Sequence, residues 1–120
     1  MAARVTGLGG VFFRARDPEG LTEWYDRVLG VAFKGGPWMQ EAGPTVFMPF
    51  DEGTEYFGRR SQAFMLNFRV RDLDEMLAHL ASLDIAAETR AEWDSEVGRF
   101  ARIHDPEGNP IELWEPAPPG

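Results

Sequence analysis

A short run of residues occurs twice, and this repeat limits what the chain can fold into more than any other feature. Phe13-Arg14-Ala15-Arg16-Asp17 recurs as Phe68-Arg69-Val70-Arg71-Asp72 with one mismatch, the copies lying about half a chain apart. The residues after each copy agree as well. Asp17 is placed as an N-cap, Pro18 as the first helical residue and Glu19 as an acid in the first turn. Leu21, Trp24, Tyr25 and Val28 then fall at helical spacing, and Gly30 suits the left-handed C′ position. In the second copy Asp72 is the N-cap, Glu75 completes a capping box, and Leu73, Met76, Leu77 and Leu80 make the apolar stripe.

Strands flank both helices. Val11, Phe13 and Ala15 alternate with Phe12 and Arg14, and Phe64, Leu66, Phe68 and Val70 alternate with Met65, Asn67 and Arg69, a period of two with one apolar face. Further strands are expected at 31–34, 38–41 and 45–50 in the first half, and at 85–89, 99–104 and 111–115 in the second. Each half thus reads strand, helix, three strands. Asp-Pro-Glu-Gly also occurs twice, but in different settings. Asp17–Gly20 opens a helix, whereas Asp105–Gly108 sits between strands, where Pro106 and Gly108 fit the second and fourth positions of a turn.

Together, the Phe-Arg-x-Arg-Asp strand end, the helix closing Val28-Leu29-Gly30, and the run Asp105-Pro106-Glu107-Gly108-Asn109-Pro110-Ile111-Glu112-Leu113 resemble the vicinal oxygen chelate superfamily, which includes glyoxalases, bleomycin-resistance proteins and extradiol dioxygenases. The resemblance implies an α+β fold of two βαβββ modules in tandem, with a curled mixed sheet around a cleft and helices on the outside. It implies one domain over 1–120, module one spanning about 5–55 and module two about 62–116.

The resemblance also implies a divalent-metal site built from the first and last strands of each module, and the residues at those positions can be read singly. The first His position falls on Gly10 and its counterpart one repeat later on Met65. The carboxylate position of the last strand matches Glu112, and Thr45-Val46-Phe47-Met48 offers nothing equivalent. One ligand of four does not hold a catalytic ion, so the expectation is a degenerate metal site with no metal and no cofactor. The chain has no cysteine, so thiolate ligands and disulfides are excluded. His79 reads as a solvated helix residue and His104 as a turn or strand-edge residue. Glu88, Glu92, Asp94 and Glu96 read as a solvated acidic face.

If the apolar strand residues face the helices, their neighbours face the cleft. The expected lining is Phe12, Arg14, Met48, Met65, Asn67, Arg69 and Trp114, with Glu112 the candidate catalytic residue. Glu112 is either a general base or the structural partner of Arg14 or Arg69. Arg59-Arg60, in the link between halves, is either an anion clamp or solvated surface.

Besides a structural or regulatory dimer with a vestigial cleft, the resemblance leads to two functions, and whether the chain is an enzyme stays open between them. One is a small-molecule-binding, glyoxalase-like protein acting as a metal-independent lyase or isomerase on a small oxygenated compound. The other is a non-catalytic protein that sequesters a cationic or aromatic ligand, as bleomycin-resistance proteins do. A homodimer is expected, with Trp24 and Tyr25 as candidate anchors unless they pack on their own sheet. A net charge of −8 argues against nucleic acid and anionic membranes as partners. No apolar run is long enough for a membrane span or a signal segment, which leads to the expectation of a cytoplasmic protein.

Overall fold

The computed structural model describes residues 3–32 and 35–118. The expected strand at 31–34 and the tail at 116–120 therefore lie partly outside the described residues.

Both helices form where the caps put them. Helix α1 spans Pro18–Trp24, with the Asp17 side chain accepting from the Gly20 N–H, and it widens into a π-type turn over Tyr25–Leu29 that ends at left-handed Gly30. Helix α2 spans Leu73–Ser82, with Asp72 accepting from the Glu75 N–H. A second carboxylate reaches its first turn from the sheet, where Glu115 accepts from the Leu73 N–H at 2.8 Å.

Among the described residues three strands pair: β1 (Leu66–Arg69), β2 (Gly98–His104) and β3 (Pro110–Pro116). The order is β1-β3-β2, with β3 parallel to β1 and antiparallel to β2. Period two then sorts the side chains. Ala101, Ile103, Ile111 and Leu113 are buried, with Leu66 and Phe68 packed beside them, against Leu21, Trp24, Tyr25, Val28, Leu73 and Leu80 from the helices. Both helices therefore cover one face, and the other is left for polar and aromatic residues.

The expectation of two equal modules is met only in part. The second half forms its strand, helix and hairpin, while Glu88 adds an isolated bridge to Arg102 where a strand over 85–89 was expected. The first half forms its helix, but among the described residues none of its segments joins a ladder. Phe13 and Ala15 still pack against the core, while Phe12 on the opposite side is 96% exposed and Phe47, in the segment at 45–50, is 86% exposed.

The turn after β2 ties the two halves together. Gly108 N–H donates to the Asp105 carbonyl, with Gly108 at φ +84°, which matches the expected turn. The Asp105 side chain, in a residue only 5% exposed, accepts from the Glu107 and Asn109 N–H groups, from Asn109 Nδ2, and from the Tyr25 hydroxyl at 2.7 Å. Glu107 accepts from the Arg16 and Asp17 N–H groups at 2.6 and 2.9 Å, so the second Asp-Pro-Glu-Gly docks on the start of the first. Tyr25 and Trp24 are both buried in their own core, which removes them as interface anchors.

Candidate functional site

On the face away from the helices, strand register aligns two rows. Asn67, Glu112 and Arg102 stand side by side across β1, β3 and β2, and Arg69, Trp114 and Phe100 form the next row. Period two thus places Asn67, Arg69, Glu112 and Trp114 on one face, as the sequence leads one to expect.

Glu112 pairs with neither Arg14 nor Arg69. One carboxylate oxygen accepts from the Tyr56 hydroxyl at 2.5 Å and the other from Asn67 Nδ2 at 2.8 Å. Burial pushes the Tyr56 phenol up to about 12, helped by the adjacent Glu112 carboxylate and opposed by Arg102. Tyr56 therefore stays protonated and donating throughout the neutral range. The Arg102 guanidinium lies 4.7 Å from the Tyr56 ring centre and 5.7 Å from that of Trp93, and its Nη2 donates to the Tyr56 carbonyl. Its Nε is buried and has no hydrogen-bond partner among the described residues.

The other expected cleft residues fall in different places. Arg69 turns towards the first half and donates to the Pro44 and Glu41 carbonyls and to Thr45 Oγ1. Gly43 makes room for it, because a Cβ there would lie 2.8 Å from Arg69 Nε. Trp114 is 7% exposed, and its indole N–H donates to the Val97 carbonyl while its ring lies parallel to Phe100. It works as a wall of the sheet rather than as an open platform. Met65 is half-buried just before β1, whereas Phe12, Arg14 and Met48 are exposed on unpaired segments and do not join this cluster. His79, expected to be solvated, is exposed but holds the Val28 carbonyl at 2.9 Å.

Tyr56 and Arg102 are the residues that sequence reasoning passed over. Arg102 carried a usable signal, because Phe100, Arg102 and His104 alternate with the apolar Ala101 and Ile103. Tyr56 lies in the link between the halves and carried none.

The chemistry of the donor set does not suit a divalent ion. Both oxygens of Glu112 face protein donors, its neighbours Asn67 and Arg102 present N–H groups, and Gly10 and Met65 stand at the two His positions of the resemblance. Among the described residues no three His, Asp or Glu side chains converge.

No curated protein matches the chain. A solved structure similar to it is that of TnmS3, an antibiotic binding protein from Streptomyces sp. CB03234, with a TM-score of 0.64 at 20% identity, covering 97% of this chain and 100% of that one. The model of the glyoxalase-like domain matches residues 10–114. With a fold shared at this level and a family model that spans nearly the whole chain, the protein belongs to the glyoxalase-like domain family of the vicinal oxygen chelate superfamily.

Proposed function

We propose that this protein binds a small aromatic molecule on the inner face of its sheet, beside Tyr56 and Trp93, and does not turn it over through a metal chelate. The observation that carries this reading is the closure of Glu112 by the Tyr56 hydroxyl and Asn67, with Arg102 packed against the edge-on pair of Tyr56 and Trp93. A carboxylate with both oxygens engaged is a poor general base and a poor ligand. A guanidinium already against both rings opposes a cationic ligand and favours an aromatic one that is neutral or anionic. Small-molecule binding is in keeping with the family, and TnmS3, which shares the fold, is an antibiotic binding protein.

A second copy of the chain is the partner we assign to the segments around 5–15 and 38–50. They expose Phe12, Met39, Val46, Phe47 and Met48 and make no ladder, and apolar strand-patterned segments of this kind gain burial and hydrogen bonds by pairing. An acidic, cysteine-free chain suits the cytoplasm. Sedimentation equilibrium should give a dimer at micromolar concentration, and monomer alone would count against that assignment.

The binding reading is tested by titrating tryptophan fluorescence with neutral 2-naphthol and with the aminoacridine cation. Saturable binding of naphthol, weakened tenfold or more by Trp93→Ala, supports it. Preference for the cation overturns it, as does stoichiometric zinc or manganese that is lost on Glu112→Gln.

A further inference from the structure

A cavity of about 700 Å³ opens at the end of β2. Three stretches of chain meet there: the link carrying Phe57 and Arg59, the strand end with His104 and the turn beyond it, and Arg16 just before α1. His104 lies two residues after Arg102 on β2, so it shares the inner face with the Glu112 row.

The charge on the cavity wall runs opposite to that of the molecule. The chain as a whole carries −8, yet among the described residues the wall holds two arginines, Arg16 and Arg59, with the His104 imidazole beside them, against one carboxylate, Glu107. Glu107 is already engaged by the Arg16 and Asp17 backbone N–H groups. Its approach to the Arg16 guanidinium is loose, at 3.9 Å, with the arginine side chain 85% exposed. The Arg59 side chain makes no hydrogen bond or ion pair with any described residue. Its Nη2 lies against the turn, 3.6 Å from where a Gly108 side chain would begin. An arginine with no partner on a cavity wall presents a planar fork of donors that matches a carboxylate or phosphate.

We propose that this cavity is an oxyanion site, taking the carboxylate or phosphate group of a small molecule. Arg59 is the forked donor, Arg16 is the neighbouring cation, and His104 supplies an imidazole N–H on the same wall. The site is separate from the aromatic reading of the Glu112 row, and its test uses no aromatic probe, so each can fail without the other.

The test tracks the imidazole signals of the two histidines by NMR at fixed pH and ionic strength, adding inorganic phosphate in one series and succinate in the other. The expected result is a saturable shift at His104 with none at His79, and an apparent Kd raised at least tenfold by Arg59→Gln. The Arg59 side chain is exposed and unpartnered, so that variant should keep the wild-type circular dichroism spectrum. A response to phosphate alone assigns a phosphate ligand, and a response to succinate alone assigns a carboxylate. No saturable shift at His104 up to about 20 mM of either probe, enough to fill a millimolar site, overturns the proposal. An unchanged Kd in Arg59→Gln overturns it equally.

Discussion

The Tyr25–Asp105 bond joins groups 80 residues apart inside the core, and it can be broken with little change of shape. Tyr25→Phe removes only the hydroxyl. A hydrogen bond to a charged group contributes about 1.5–3 kcal/mol, and Oδ2 of Asp105 keeps Asn109 Nδ2, so the expected loss is about 2 kcal/mol. Asp105→Ala removes all four interactions and leaves the Tyr25 hydroxyl and two turn N–H groups without their acceptor. Unsatisfied buried donors cost about 1–3 kcal/mol each where they stay dry. With the turn partly open to water, the expected loss is about 4 kcal/mol. The double variant should cost about the same as Asp105→Ala alone, because the phenol has nothing left to donate to, giving a coupling of about 2 kcal/mol. Urea unfolding monitored by circular dichroism, at one fixed protein concentration, measures all three. A Tyr25→Phe loss below about 0.5 kcal/mol, or strict additivity in the double variant, would refute the view that this bond ties the first helix to the sheet.

Two further predictions concern the tyrosines and a glycine. Both tyrosines are held above the ordinary phenol value of 10.0, Tyr56 at about 12 and Tyr25 higher still, chiefly by burial. Because the folded values are raised, the stability they contribute is complete below pH 10 and is lost as pH rises from there through about 12. Absorbance near 295 nm should therefore show no phenolate in the folded protein at pH 10, and half-ionisation there with native circular dichroism would contradict this. Gly98→Ala should destabilise strongly, by more than the ~1–3 kcal/mol of its backbone strain, because φ is +141° and a Cβ would lie 2.2 Å from the Glu115 carbonyl oxygen. Gly58→Ala, at φ +91° in open space, should cost only ~1–2 kcal/mol, so equal losses in a urea melt would count against the clash.

What the sequence determined by itself is local or periodic. Asp17 and Asp72 cap their helices because each acceptor lies within three residues of its donor. Gly108 closes its turn within four residues. Leu66, Phe68, Ile111 and Leu113 take the core side, and Asn67 and Glu112 the other, because a one-residue slip would exchange the faces. The repeat marked both helices, and the Asp105–Leu113 run pointed to the superfamily to which the chain belongs.

Only the tertiary structure decided which partners those side chains meet. Glu112 could be expected to pair with an arginine, but Tyr56, 56 residues away, reaches it through a link that has no periodicity to read. Arg69, on the correct face, is drawn sideways by carbonyl groups of the loop at 41–45. Asp105 looks like an ordinary turn residue, yet the buried Tyr25 hydroxyl makes it the joint between the halves. The first repeat carries the strand pattern of the second without forming its ladder, since alternation specifies which face a strand buries and leaves open which edge will pair with it. Capping and periodicity act within a few residues, while pairing and charge contacts are chosen among all segments that the fold brings close, and that choice is absent from any short window of sequence.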